Sequence, residues 1–325
     1  MRLTEKINRR TLGTRLLAIA ACVACAASIA HAQEPRVVVD GSGRTVEIKD
    51  ASRIVTIGGA VTEIVFALGH GDNVVGVDLT STYPSAAQEK PNIGYMRTLS
   101  AEGVISLSPT LVLAIEGSGP PDVIDILSRA AVPFVLVPEG HDEASVLRKV
   151  RLIAQSLREE ERGAAMGKAI TEDFAAIRAM RERIGKHRKA IFVLAVGGGS
   201  PMVGGTDTSA DGIFALSGVD NAMKSMSGYK PATAEASLAA APDVVVTLYE
   251  RNHSLSADDM FALPAFAGTP AAATKQLIPL PSYALSFGPR AAHAARNLAA
   301  KVYPELSLPE LPARPWTKDA SAGKP

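Results

Sequence analysis

The chain is poor in several residue types, and each shortage closes off a class of chemistry. Only two cysteines occur in 325 residues, Cys22 and Cys25, both inside an N-terminal leader-like stretch. The rest of the sequence has none, which excludes disulfides, thiolate metal sites and a cysteine nucleophile there. The histidines His70, His141, His187, His253 and His293 are scattered, with no pair at ligand spacing, so a zinc or manganese centre has no histidine frame. Aromatic residues make up 5% against a hydrophobic fraction of 47%. Apolar volume therefore comes from Ala, Val, Leu and Ile, as in α/β folds with buried parallel strands. Charge of one sign is also lacking. The formal charge is +1, from 34 basic and 33 acidic residues. Setting aside residues 1–32, with five basic residues and one acidic, leaves 29 basic against 32 acidic. That balance gives no electrostatic case for nucleic acid. The glycines at 197–199 and 204–205 are not followed by a Gly-Lys-Ser/Thr or G-x-G-x-x-G context, and no nucleophile elbow occurs. Nothing in the sequence supplies a catalytic constellation, and the expectation is a protein that is not an enzyme.

What is present begins with an export signal over residues 1–32. Arg2, Lys6, Arg9, Arg10 and Arg15 form a basic n-region, Leu16 to Ile29 is apolar and too short for a membrane span, and Ala30-His31-Ala32 is a cleavage site. Cleavage after Ala32 would place the mature protein in the periplasm. Ile19-Ala20-Ala21-Cys22 offers a lipoprotein box, and Arg9-Arg10 a twin-arginine signal, as rival routes out of the cytoplasm.

Two β runs around Gly41-Ser42-Gly43 read as a hairpin. Short β segments then alternate with helical ones: Arg53–Ile57, Val74–Val77, Leu111–Ile115 and Val132–Val137 in the first half, and Ile191–Val196, Val244–Leu248 and Ile278–Leu280 in the second. Such alternation predicts α/β architecture with parallel sheets and helices on both faces. Between the halves, Glu159–Lys189 is charge-rich, free of proline and amphipathic, about 45 Å long as one helix. The halves also repeat a phrase. Ala101-Glu102 and Ala234-Glu235 each open a short helix that leads through Pro109 or Pro242 into a strand. The expected layout is an N-terminal lobe over 33–157, a connecting helix over 158–189, a C-terminal lobe over 190–308 and an unpacked tail over 309–325. Doubled lobes place a ligand in a crevice at the carboxyl ends of strands.

The segment Pro91–Leu99 carries Tyr95 with Arg97 two residues on. In an extended segment the two side chains would share one face. A cation beside a phenol favours the phenolate, a hard ligand suited to ferric iron. The same residues also fit a tyrosine packed in a loop with its hydroxyl satisfied and an ordinary surface arginine.

Four runs bear on that choice: Arg53-Ile-Val…Gly59…Thr62-Glu63…Ala67-Leu68-Gly69; Val75-Gly-Val-Asp78…Thr80-Ser81…Pro84; Gly94-Tyr95…Arg97-Thr98-Leu99-Ser100-Ala101-Glu102-Gly103; and Gly228-Tyr229-Lys230-Pro231. Over residues 36 to about 305 they resemble the periplasmic haem-binding proteins of bacterial ABC haem importers, in the helical-backbone class of substrate-binding proteins. The resemblance implies two Rossmann-like lobes joined by one long α-helix with the ligand cleft between them. It implies ferric haem as the transported ligand, with Tyr95 on the iron and Arg97 beside it. It implies Glu102 and Glu235 as the residues that dock on arginines of an inner-membrane ABC permease, which works with its ATPase. An outer-membrane haem receptor would act upstream, and the binding protein would be a monomer. Cobalamin or a ferric siderophore is the alternative cargo within the class. Asn221–Pro231 reads as a loop facing the cleft, so Tyr229 and Lys230 on it, with Arg251 past the strand at Val244–Leu248, are candidates for ring stacking and propionate pairing. Some relatives hold a second haem through a histidine after the first strand of the second lobe, where this chain reads Ala195-Val196-Gly197-Gly198-Gly199. Arg290 reads as a surface charge at a helix start, and Tyr83 as a structural residue before proline.

Overall fold

A computed structural model describes residues 35–197, 200–249 and 255–318. The leader expected over residues 1–32, including the cleavage site, lies outside the described residues, as do Gly198, Gly199, Arg251 and His253. Residues from Arg36 onward form one compact unit.

The first lobe starts with the antiparallel hairpin β1 (Arg36–Val39) and β2 (Thr45–Ile48). Its turn is tied by Asp40, whose carboxylate accepts from Ser42 N at 2.9 Å, Ser42 Oγ at 2.7 Å and Arg44 Nη2 at 2.7 Å. Then come β3 (Ile54–Ile57), α1 (Gly59–Ala67), β4 (Val74–Val77), the short helices α2 (Ser85–Gln88) and α3 (Ala101–Ile105), β5 (Leu111–Ile115), α4 (Pro121–Arg129) and β6 (Phe134–Val137). The four strands β3 to β6 make a parallel sheet in the order β4-β3-β5-β6. Period-two alternation sends Leu111, Leu113 and Ile115 to one face and Val112 and Ala114 to the other, and both faces are buried.

Two helices follow. Helix α5 (Glu143–Leu157) opens with a capping box between Asp142 and Ser145, and the chain turns at Arg158 through the left-handed region, φ 60°. Helix α6 (Glu160–Glu182) has 23 residues, so it is about 35 Å long. The helix expected over Glu159–Lys189 is thus shorter. It stops at Arg183, Gly185 cannot usefully prolong it, and Lys189 already belongs to a strand.

The second lobe contains β7 (Lys189–Gly197), β8 (Ser200–Gly204), α7 (Ser209–Ser217), β9 (Asp220–Asn221), β10 (Tyr229–Pro231), α8 (Ala234–Ala240), β11 (Val244–Tyr249), α9 (Ala257–Ala262), α10 (Pro270–Ala273), β12 (Leu277–Pro281) and α11 (Ala291–Val302). The sheet order is β10-β8-β7-β11-β12, with β9 also on β7. Strands β7, β11 and β12 are parallel, whereas β8 pairs antiparallel with both of its neighbours, β7 and β10. The stretch Asn221–Pro231, expected as loop, ends in β10. Pro231 is tolerated because β10 is an edge strand.

One apolar core joins the lobes. It runs from Ile54, Val61 and Leu111 through Met166, Ile170 and Phe174 of α6 to Phe192, Phe214 and Val244. The outer face of each sheet has a separate core, around Val55 and Val112 in one lobe and Ile191 and Val245 in the other. Among the described residues no helix is long and apolar enough to cross a membrane.

The expectation of an unpacked tail is corrected for residues 309–318. Arg296 of α11 donates to Leu308 O at 2.9 Å and Pro309 O at 3.1 Å, and His293 Nε2 lies 3.1 Å from Pro312 O. Arg314 then pairs with the buried Asp173 of α6, at 2.7 Å and 3.1 Å, and donates to Ala169 O at 3.1 Å. Trp316 packs on the shared core, and the turn at Pro315–Thr317 reaches α1. Composition hid this, because a Pro- and Ala-rich stretch is pinned by one guanidinium and one indole.

Arg314→Ala is expected to leave Asp173 buried without its partner. Removing one member of such a pair costs on the order of 3 kcal/mol. Thermal unfolding followed by circular dichroism should fall by roughly 6–12 °C, and a chain ending at Leu308 should fall at least as far.

Candidate functional site

The carboxyl end of β3 fixes the first half of the site. Gly58 has φ 103°, a conformation that favours glycine, and its N–H donates to Asp78 Oδ1 at 2.8 Å. A Cβ on Gly59 would stand 2.7 Å from Thr80 O and 3.2 Å from Ser286 Oγ, so the chain needs glycine for this close approach. Asp78 is buried and also accepts from Thr80 N at 2.9 Å, Thr80 Oγ1 at 2.7 Å and Ser81 Oγ at 2.7 Å. The turn after β4 is thereby rigid, and Leu79 is left facing solvent.

The Tyr95 segment is stitched to this turn. Val77 N donates to Pro91 O at 3.0 Å, Ile93 N to Val77 O at 3.0 Å and Leu79 N to Gly94 O at 2.9 Å. On the other side Leu99 N donates to Gly119 O and Gly119 N to Met96 O, both at 2.9 Å. Gly94 takes φ 94° with its N–H on Asn92 Oδ1 at 2.8 Å. Thr98 N donates to Tyr95 O at 2.8 Å, which closes a turn over Tyr95–Thr98. The extended geometry expected for Tyr95 and Arg97 is therefore replaced by a turn, and both side chains stand exposed on it. Tyr95 is 41% exposed at the carboxyl rim of the sheet.

The second lobe offers a matching rim. Register shifts between Val193 and Ala195 as β7 meets β8, and Leu194 turns outward. Tyr249 ends β11, opposite Pro281 of β12, and is 56% exposed. Sequence reasoning missed it, although Tyr249-Glu250-Arg251 echoes Tyr95-Met96-Arg97. Tyr229 lies on strand β10 rather than on a loop, half-buried, with its hydroxyl 3.0 Å from Ser209 Oγ and its ring edge-on to Phe192. It packs within the lobe. Lys230 beside it is exposed.

The two rims meet at a buried joint. Arg290 donates to Glu63 through Nε at 2.9 Å and Nη2 at 2.7 Å. Its guanidinium carbon lies 3.5 Å from the centre of the Tyr83 ring and 3.7 Å from that of Tyr283. Two aromatic faces and a bidentate carboxylate enclose one cation. The reading of Arg290 as a surface charge is thus corrected, since it is buried. Its partner lies 227 positions earlier, beyond the reach of any local pattern. Around it, Gly288 packs on Ala60, His141 meets the edge of Phe287 with ring centres 5.2 Å apart, and buried Lys149 donates to Glu139 at 2.8 Å and Phe287 O at 3.4 Å. Burial pushes the Glu63 carboxyl above its usual range, while the hydrogen bonds and charge of Arg290 pull it back.

A hollow of about 320 Å³ beside Arg44, Val46 and Phe134 opens at the amino end of β6. That is the wrong end of the strands for a ligand site in an open α/β sheet. Among the described residues no group of three or more His, Cys, Asp or Glu could hold a metal ion.

Glu102 and Glu235 occupy equivalent places. Ser100 caps α3 by accepting from Gly103 N at 3.3 Å, and Thr233 caps α8 by accepting from Ala236 N at 3.1 Å. Each glutamate stands exposed in the first turn.

Two lobes whose carboxyl rims close on one joint describe a class of protein that receives a small molecule between them. Residues 54–284 match the periplasmic binding protein family, and the chain belongs to it. It is 30% identical over 217 residues to an uncharacterised ABC transporter substrate-binding lipoprotein, YvrC, of Bacillus subtilis, covering 66% of this chain and 69% of the relative. Among solved structures, periplasmic haem-binding protein BhuT in complex with two haems is 38% identical, with a TM-score of 0.73 over 77% of this chain and 97% of that one. Periplasmic haem-binding protein RhuT from Roseiflexus sp. RS-1, in apo form, is 35% identical, with a TM-score of 0.75 over 78% and 99%. The family is one of substrate-binding transport proteins, not an enzyme class.

Arg290→Ala should destabilise the fold by about 3–5 kcal/mol in denaturant unfolding, because Glu63 stays buried without its cation. Loss of Arg290 raises the folded-state pKa of Glu63 further above its unfolded value of about 4.3. Below that value both states hold the neutral acid and this penalty is absent. It then grows as pH rises to the folded pKa and levels off, so the variant should recover toward the wild type in acid.

Proposed function

We propose that this chain is an exported binding protein that captures ferric haem in the crevice and delivers it to an inner-membrane ABC permease and its ATPase. The observation that carries this reading is the placement of Tyr95. Its phenol projects from a turn hydrogen-bonded on both sides, at the carboxyl rim where the fold receives ligands. A phenolate is a hard oxygen donor suited to oxidised iron, and Arg97 on the same turn supplies positive charge beside it. Leu79, Leu194 and Tyr249 offer exposed apolar surface to a flat macrocycle. Lys230 is an exposed cation within the second lobe, and Arg251 follows Tyr249 in sequence. These two are the proposed partners of the propionates. The printed descriptions of the 38% and 35% identical structures name haem as what those proteins bind.

The export signal over residues 1–32, cleaved after Ala32, would deliver the protein to the periplasm. There it would act as a monomer downstream of an outer-membrane haem receptor. Glu102 and Glu235 are the proposed contacts to the permease, one on each lobe.

Titration of the purified protein with haemin should give a visible spectrum with a tyrosinate-to-iron band. Tyr95→Phe keeps the ring and removes the donor. It should abolish that band and weaken binding by about 10- to 100-fold, which is roughly 1.4–2.8 kcal/mol. An unaltered spectrum in the variant would remove Tyr95 from the iron, and displacement of haemin by cobalamin at equal concentration would move the cargo to a corrinoid.

A further inference from the structure

The two glutamate helices share more than their glutamates. From the cap onward, Ser100-Ala101-Glu102-Gly103-Val104-Ile105 and Thr233-Ala234-Glu235-Ala236-Ser237-Leu238 follow one burial pattern at every place but the fourth, where Gly103 is half-buried and Ala236 exposed. The cap binds the N–H of the third helical residue, and the glutamate faces solvent. The residue two places on is wholly buried, as Val104 and Ser237. The residue three places on is a large apolar side chain left in water, Ile105 at 43% and Leu238 at 44% exposed. Residues at i and i+3 of a helix lie on one face, so each carboxylate has an apolar neighbour beside it. Anchoring at the i+2 position fixes how that face is presented in both lobes. A single exposed apolar side chain is ordinary on a protein surface; what singles out these two is their recurrence at the same offset from the same cap and glutamate in both lobes.

Building on the docking role proposed for Glu102 and Glu235, we infer that Ile105 and Leu238 are a second, apolar half of each contact. The partner they fit is a membrane protein with two like halves, each presenting a cation next to an apolar socket. Matching faces on two lobes call for matching receivers, which a permease of two identical or similar transmembrane subunits provides. The glutamates give attraction at a distance that salt weakens, and they govern the rate of encounter. The apolar pair gives attachment that salt does not screen.

The chain beyond the leader has no cysteine, so a single introduced one is labelled uniquely. Ile105→Cys and Leu238→Cys, each carrying a benzophenone maleimide and loaded with haemin, are illuminated with right-side-out inner-membrane vesicles of the producing cell. Both positions should give adducts with the transmembrane subunits of one ABC permease, while Val37→Cys, exposed on the hairpin of the first lobe, gives none. Adducts to unrelated polypeptides, or from one lobe only, overturn the inference. With that permease in detergent, Ile105→Ser/Leu238→Ser should bind at least about tenfold more weakly at low and high salt alike. Glu102→Ala/Glu235→Ala should lose most at low salt. Wild-type binding by the serine pair also overturns the inference. Haemin spectra of the same variants are the separate readout. They should match the wild type, and absence of any haemin spectrum in the wild type would strike at the cargo rather than at the surface.

Discussion

The ion pair between Glu63 and Arg290 is the constraint on which the remaining architecture rests. A carboxylate on α1 and a guanidinium at the start of α11 are both taken out of water, and each alone would be costly there. They are tolerated because the pairing is bidentate and because Tyr83 and Tyr283 cover the two faces of the cation. The same contact decides where the rims of the two sheets stand. Gly59 and Gly288 lack side chains where the backbones of the two lobes approach, and Ser286 and Phe287 complete the seam. A joint built on a dehydrated, bidentate ion pair fixes direction as well as distance, which apolar contact alone does not.

The shared core adds to this rigidity. Helix α6 lends Met166, Ile170 and Phe174 to a cluster that includes strands of both sheets. Wide parting of the lobes would expose that cluster to water, at about 25 cal/mol for each Å² uncovered. The turns at the carboxyl rim of the first sheet are by contrast stitched to one another through the backbone, as with Leu79 on Gly94 and Leu99 on Gly119. Apolar packing and backbone hydrogen bonding thus hold different segments of the chain.

Much of this was legible in the sequence because it is periodic or local. The alternation of Val- and Ile-rich runs with helical ones gave the parallel sheets, and the repeated Ala-Glu openings gave the equivalence of α3 and α8. The turn that displays Tyr95 was not legible, since it depends on bonds to Val77, Leu79 and Gly119. Arg290 was misread because its carboxylate comes from the other lobe. The tail was misread because composition registers proline and alanine but not the single pairing of Arg314 with Asp173. Tyr229 looked like a loop residue next to a glycine, yet hydrogen bonding to β8 makes it part of an edge strand with its ring turned to Phe192.

The path of residues 309–318 has a consequence for how the molecule is completed. Ribosomes make the amino end first, so the first lobe, α6 and α11 all exist before Arg314 and Trp316 emerge. The strap that runs from α11 across α6 to α1 is therefore made after all the parts it ties together. A chain halted before Arg314 would hold both lobes without that fastening.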